Sequence, residues 1–160
     1  MDMPAATRRL LEAAVRLGLE LEVREFPEGT KTASDAAEAV GCEVGAIVKS
    51  LVFMVDGEPV ITLVSGDMRV DLDKLAAALD GAEARRATLD EVRTATGYAA
   101  GGTPPFGHAG ARPRVLADRL LARYSELWAA AGTPTTVFPI DHDSLVHAAQ
   151  AEIVDLTTGG

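Results

Sequence analysis

The sequence predicts a single α+β domain built on a mixed β-sheet. Three observations carry that prediction. Segments with helical spacing and segments with two-residue alternation are interspersed, without the regular strand–helix repeat of a parallel, doubly wound sheet. The dipeptide Asp56-Gly57 joins two apolar runs, so at least part of the sheet is antiparallel. The chain has 160 residues, 48% hydrophobic and 24% charged, which fits one domain well and two poorly.

The elements follow in chain order. Leu10, Leu11, Ala14, Val15 and Leu17 recur at helical spacing, predicting a helix over 5–18 that ends at Gly18. Leu19, Leu21 and Val23 then alternate with Glu20, Glu22 and Arg24, the pattern of a half-buried strand running to Phe26. Residues 32–40 form a second helix closed by Gly41. From 46 to 55 both alternating faces are apolar, which predicts a strand buried on both sides, and 59–64 return from the Asp56-Gly57 turn. Asp71 is placed as the N-cap of a helix over 72–79. Thr88-Leu89-Asp90-Glu91 matches a capping box that opens a helix stopped near Gly97. A short strand is expected at 114–117. A hairpin through Gly132-Thr133-Pro134 joins 127–131 to 135–138. A helix over 141–149, a last strand over 153–156 and a frayed tail at 157–160 complete the chain. The Gly- and Pro-rich stretch 97–113 also carries Tyr98, Phe106 and His108, so it reads as an ordered functional loop rather than a domain boundary. The domain therefore spans 1–160, with an N-terminal helix at 5–18 and a core from 20 to 156.

Charge narrows the function. The net charge of −9 disfavours a broad DNA-binding surface and an anionic membrane surface. Residues 85–123 nevertheless carry +4, leaving −13 on the rest, so one focused nucleic-acid contact stays open. Cys42 is the only cysteine, which excludes an internal disulfide and a multi-Cys zinc site and suits a reducing cytoplasm. No apolar run approaches the ~20 residues of a membrane span, and the first residues lack an apolar signal core. The cytoplasm is the expected location.

Two features could carry chemistry. Lys49 is the one ionisable group in the ten residues 46–55, in a chain with three lysines against twelve arginines. Burial there would be costly and would push its pKa down; a strand-end lysine reaching water is the alternative. The second feature is the loop Gly101-Gly102-Thr103-Pro104-Pro105-Phe106-Gly107. Its glycines let the backbone approach a ligand, and its free N–H groups could hold an anion or a carbonyl oxygen; an ordinary turn is the alternative. Asp141-His142-Asp143 resembles a metal cluster, but neighbouring residues on a helix do not converge, so a helix start is expected and no metal.

The two features belong to one ordered set: Thr32-Ala33 with Ala36-Ala37; Ile47-Val48-Lys49-Ser50-Leu51-Val52-Phe53; Ser65-Gly66-Asp67-Met68-Arg69-Val70-Asp71-Leu72 with Lys74-Leu75; Thr96-Gly97-Tyr98 with Gly101-Gly102 and Pro105-Phe106-Gly107. In this order, from about residue 20 to 156, the chain resembles the YbaK family, free-standing relatives of the editing domain of bacterial prolyl-tRNA synthetase. The resemblance implies a compact domain with a mixed, barrel-like sheet surrounded by helices. It implies an aminoacyl-tRNA deacylase that hydrolyses mischarged tRNA in trans, Cys-tRNA(Pro) or Ala-tRNA(Pro) foremost, without metal or organic cofactor. Lys49 matches the family's essential lysine, and Gly101 to Pro105 its Gly-x-x-x-Pro loop; Lys49, Gly101 and Gly102 are the candidate catalytic residues. Thr32, Phe53, Asp67, Thr103, Pro105, Phe106 and His108 are the candidate substrate-binding residues, and Arg112 and Arg114 the candidate tRNA contacts. The implied partners are the acceptor end of a mischarged tRNA and a prolyl-tRNA synthetase, with no DNA and no membrane. A non-catalytic module of the same fold, binding aminoacyl-tRNA or a synthetase, is the alternative; a small-molecule ester hydrolase is a third reading.

Overall fold

The computed structural model describes residues 3–30, 32–109 and 113–159. Its elements are α1 (Ala5–Arg16), β1 (Arg24–Glu25), α2 (Ala33–Val40), β2 (Ile47–Val55), β3 (Glu58–Ser65), β4 (Met68–Val70), α3 (Leu72–Ala78), β5 (Ala84–Arg86), α4 (Leu89–Thr96), β6 (Arg114–Asp118), β7 (Glu126–Ala130), β8 (Thr136–Asp141), α5 (His142–Ala149), β9 (Glu152–Val154) and β10 (Thr157–Gly159). The main sheet runs β1-β8-β7-β2-β3-β6-β9, with β5 joining β2, and β4 pairs with β10 in a second, two-stranded sheet. The β2–β7, β3–β6 and β6–β9 pairs are parallel and the others antiparallel, so the sheet is mixed.

The β2–β3 hairpin sets the geometry of the site. Asp56 (φ 48°) and Gly57 (φ 82°) form its two-residue, left-handed turn. Such a turn makes Val55 and Glu58 a hydrogen-bonded pair, and the alternation of an antiparallel ladder follows from there. The peptide groups of Phe53, Leu51 and Lys49 face β3, while those of Val52, Ser50 and Val48 face the other edge. On that edge β7 covers only Ile47 and Val48, and β5 covers only Phe53 to Val55. The Ala87 N–H reaches Val52 O at 3.1 Å. Between these two partners, residues 49–51 have no strand beside them among the described residues. Burial on both sides, as the apolar pattern predicts, therefore fails in the middle of β2, where Lys49, Ser50 and Leu51 are half-buried. One strand runs parallel and the other antiparallel to β2; they share its edge and leave a gap.

Three apolar clusters surround the sheet. Leu10 and Ala14 of α1, Leu145 of α5, Phe106 of the glycine loop and Phe138 pack with Val48, Val52, Ile61 and Leu63 on one face. Leu75 of α3 packs with Phe53, Val55, Val64 and Leu116 on the other. Ala36 and Ala37 of α2 close over Ile47, Trp128 and Val137 beside the gap.

Most helix ends lie where the sequence places them. The capping box at Thr88 and Glu91 is present, and Asp71 and Asp141 cap α3 and α5. At the end of α1, Gly18 N–H bonds Val15 O and Leu19 N–H bonds Ala14 O. This Schellman closure occupies the Leu19 N–H. The strand expected from Leu19 to Phe26 accordingly shrinks to Arg24–Glu25, although Leu19, Leu21 and Val23 still pack against the core. The tail expected to fray is ordered instead: Thr157–Gly159 pairs with Met68–Val70. Its anchor is the fully buried Asp118, which accepts bonds from Leu156 N–H (2.8 Å), Thr157 Oγ1–H (3.0 Å) and Leu120 N–H (3.2 Å). Among the described residues, no helix is long and apolar enough to cross a membrane.

Candidate functional site

Lys49 projects from β2 at the gap. Its Nζ donates to Met68 O at 2.6 Å, a carbonyl brought close by the turn from β3 into β4. Burial, with Arg86 and Arg69 adding like charge, holds its pKa below the ordinary lysine value; Asp67 offsets part of this. An ammonium carries three donors, so two remain for a ligand.

Beside Lys49 the gap opens into a cavity of about 280 Å³. Ser50 lines it from β2, Arg86 from β5, Thr32 from the start of α2, and Gly101 and Thr103 from the loop. Thr32 Oγ1 accepts the Asp35 N–H (3.0 Å) as the cap of α2, which leaves its own O–H free to donate. The two central glycines serve different ends. Gly101 has φ +87° and nothing within 4 Å of where a Cβ would stand, so its backbone is open to approach. Gly102 is packed instead: a Cβ would lie 2.7 Å from Thr133 Cα and 2.9 Å from Gly132 O. Thr103 is buried, and its Oγ1 is bonded to Ala99 O at 3.0 Å.

The structure brings Lys49, Thr32, Gly101 and Thr103 around one cavity and leaves the other described candidates out of its lining. Phe106 is 2% exposed and sits edge-to-face on Phe138 (5.8 Å between centroids) in the core. Pro105, buried beside it, is likewise outside the lining. His108 turns the same way as Phe106: both line a separate cavity of about 490 Å³ between α1, α5 and β6. The His108 Nε2 lies 2.7 Å from Pro104 O, which assigns the proton to Nε2. Burial pulls its pKa below the ordinary value, against the bond to Pro104. Phe53 is on the Lys49 face of β2 but lies within the core, covered by the Arg86 guanidinium 5.7 Å from its ring centroid. Asp67 stands near Lys49 and is paired with Arg123 at 3.2 Å.

Four arginines of the basic segment are paired with carboxylates, three of which lie outside the segment. Arg85 pairs with Glu91 (2.8 Å), Arg114 with Glu152 (2.8 Å), Arg119 with Asp155 (3.7 Å) and Arg123 with Asp67. Arg114 is thus an exposed ion pair away from the Lys49 cavity, and Arg112 lies outside the described residues. Sequence reasoning missed Thr30, Ser50, Arg86 and Trp128 in the lining. Ser50 had a signal in being next to Lys49, and Arg86 in belonging to the basic segment 85–123. The Ser50 Oγ is buried and without a hydrogen-bond partner among the described residues.

The described lining offers an ammonium, a guanidinium, hydroxyls and open peptide groups, with no carboxylate and no imidazole. Such a donor-rich, acceptor-poor site suits a ligand that is anionic or develops negative charge.

Comparison with known proteins points the same way. The model of the aminoacyl-tRNA editing domain matches residues 27–148, a span that holds both Lys49 and the glycine loop. A crystal structure described as "a putative trans-editing enzyme for prolyl tRNA synthetase" superposes with a TM-score of 0.92 at 42% identity, covering 99% of this chain and 100% of that one. The uncharacterised protein YwhH of Bacillus subtilis (strain 168) is 36% identical over 115 residues, 71% of this chain and 72% of its own. An Enterococcus faecalis protein named "Putative Cys-tRNA(Pro)/Cys-tRNA(Cys) deacylase EbsC" is 28% identical over 134 residues, 83% of this chain and 81% of its own. On its α+β architecture and the match across three quarters of its length, the chain belongs to the aminoacyl-tRNA editing domain family.

Proposed function

We propose that this protein is a trans-acting deacylase that hydrolyses the ester of mischarged aminoacyl-tRNA, with Cys-tRNA(Pro) or Ala-tRNA(Pro) as substrate, in the cytoplasm where tRNA is charged. The observation that carries the proposal is the meeting of Lys49 and the open backbone of Gly101 in one small cavity at the break in the sheet edge. At about 280 Å³ the cavity is slightly below the roughly 300–1,000 Å³ of pockets for drug-sized ligands. That size suits the aminoacyl end of a tRNA better than a stack of nucleotides.

An aminoacyl ester is already reactive, so positioning and charge stabilisation supply most of what an enzyme must add. The Lys49 ammonium, steadied by Met68 O, has N–H donors left for the oxyanion that forms when the ester carbonyl is attacked. Peptide groups at Gly101 approach the ester closely because no Cβ intervenes. The attacking oxygen is that of water, which the substrate's own 2′-hydroxyl can hold in place; with a cysteinyl substrate, its own thiol can attack the carbonyl instead, expelling the ribose hydroxyl with the thiol proton and leaving as a cyclic thioester. With water as nucleophile, the tetrahedral intermediate collapses by breaking the ester C–O bond, and the ribose hydroxyl leaves with the proton taken from the water. A wall made by Thr30, Thr32, Ala33 and Trp128 limits side-chain size. One methylene more or less there is worth about 1–3 kcal/mol, so small changes in this wall reset the amino acid.

The test is a deacylation panel with purified protein on tRNA(Pro) charged with Cys, Ala, Ser and, as control, Pro. Release of Cys or Ala with Pro-tRNA(Pro) left intact is the expected result. Turnover of none of them would turn the reading toward a binding module. Equal rates on aminoacyl esters lacking tRNA would turn it toward a small-molecule esterase.

A further inference from the structure

Arg86 is the cation at the Lys49 cavity that sequence reasoning does not single out. It stands opposite Phe53 in the β2–β5 ladder, on the face that also carries Lys49. Its guanidinium lies over the Phe53 ring, and the residue lines the cavity. Four other arginines of the basic segment are each bound to a carboxylate. Arg86 has no carboxylate partner and makes no side-chain hydrogen bond among the described residues. Lys49 is held at a backbone carbonyl, which cancels no charge. Two cations with no bound anion therefore face one cavity, and Arg86 adds its repulsion to the burial that lowers the Lys49 pKa. Such a pair is costly in the free protein and becomes favourable when an anion arrives between them.

The two cations differ in chemistry. A guanidinium presents a planar fork of N–H donors that matches two oxygens of a phosphate, and stacking on an aromatic ring fixes its plane. An ammonium is a point charge better suited to a single developing oxyanion. Along β2, Lys49 and the partner of Arg86 are four residues apart, about 13 Å between Cα atoms, and both side chains reach into the same cavity. A ribose ester has its 3′ oxygen at one side and its 5′-phosphate at the other, so it offers a standing anion to one cation and a carbonyl oxygen that becomes anionic on attack to the other.

Resting on the deacylase reading above, we infer that Arg86 binds the phosphate on the 5′ side of the terminal nucleoside, leaving Lys49 for the ester. Arg86 is on this account a substrate-binding residue that distinguishes an aminoacyl nucleotide from an aminoacyl nucleoside. The variant that tests it is Arg86→Met, which keeps an unbranched apolar stem over Phe53 and removes the fork. The probes are non-hydrolysable alanyl-adenosine analogues, amide-linked at the 3′ position, with and without a 5′-phosphate. Dissociation constants are measured by calorimetry for both proteins.

The native protein is expected to bind the phosphorylated analogue about tenfold more tightly, the scale of one charge-assisted contact. That preference should decline as salt rises and screens the single contact. Arg86→Met should bind both analogues equally, near the native value for the unphosphorylated one, and Arg86→Lys should restore part of the preference. A purely covering role for Arg86 would instead weaken both analogues alike. That outcome, a phosphate preference retained in Arg86→Met, or no binding of either analogue by the native protein would each overturn the inference. Because these readouts are binding constants, they stand apart from the tRNA panel: native protein that binds the phosphate through Arg86 but releases no amino acid would sink the deacylase reading alone.

Discussion

Asp118 and Lys49 are two charged side chains drawn into the same small protein, and the fold treats them oppositely. Asp118 is fully buried and accepts from three donors, two backbone N–H groups and the Thr157 hydroxyl. Its capacity is spent on joining the end of β6 to the C-terminal strand. Lys49 is half-buried, has one backbone carbonyl as partner, and stands among cations at the edge of a cavity. A charge whose hydrogen bonds are all used by the fold holds structure together. A charge left with spare donors and like-charged neighbours costs stability and keeps its bonding capacity for a ligand.

That contrast can be broken by substitution. The largest effect is expected for Asp118→Ala, which strands three donors in the interior at about 1–3 kcal/mol each, partly relieved by entering water. A loss of roughly 3 kcal/mol or more in urea unfolding is predicted, with activity per folded molecule kept. Unchanged stability would mean that the carboxylate is not the anchor of the C-terminal strand. Next comes Gly102→Ala, whose Cβ would stand 2.7 Å from Thr133 Cα. Pushing two backbone segments apart should cost about 1–3 kcal/mol in the same assay. Gly101→Ala meets open space but must hold φ +87°, a strain of about 1–2 kcal/mol, and should cost more activity than Gly102→Ala.

Lys49→Met inverts the Asp118 result. The folded-state pKa of Lys49 lies below its ordinary value. The charged form is thus disfavoured by folding, and its cost is present at neutral pH and relieved as pH rises. Thermal melts at pH 7 should show the variant as stable as the native protein or slightly more so. A clear fall in melting temperature would make Lys49 a structural residue like Asp118. The smallest effect concerns His108, buried and bonded to Pro104 O. Its folded pKa is also lowered, so the unfolded chain takes up protons first as pH falls through 6.5. Stability should decline on acidification below that value, before the carboxylates titrate. His108→Gln, which keeps an N–H donor, should flatten this part of the profile; an unaltered profile would show that His108 is not its source.

The same contrast explains what the sequence could reveal. The fold class was legible because helix ends and the hairpin turn are local: Thr88 with Glu91, Asp71, and Asp56-Gly57 act within four residues. Lys49 stood out because a lone charge in a ten-residue apolar run contradicts its surroundings. The gap in the sheet was not legible, since it depends on β5 and β7 meeting β2 from distant parts of the chain. Both β4 and β5 are three residues long, too short to show a period. The order of the last residues depends on Asp118, nearly forty positions away from Thr157. Phe106 and His108 were grouped with the loop glycines, whereas both line the separate cavity beside α1 and α5. Arg86 carries no mark that separates it from Arg85; only the ion pair of Arg85 with Glu91 tells them apart.

The measurement that bears most directly on the account compares native protein and Lys49→Met on tRNA(Pro) charged with labelled alanine or cysteine. Release of the amino acid is followed under single-turnover conditions, with both proteins shown to be folded by their melts. The account predicts release by the native protein and a loss of about 100-fold or more in the variant, the scale of removing one transition-state donor. Equal release by the two proteins would contradict it.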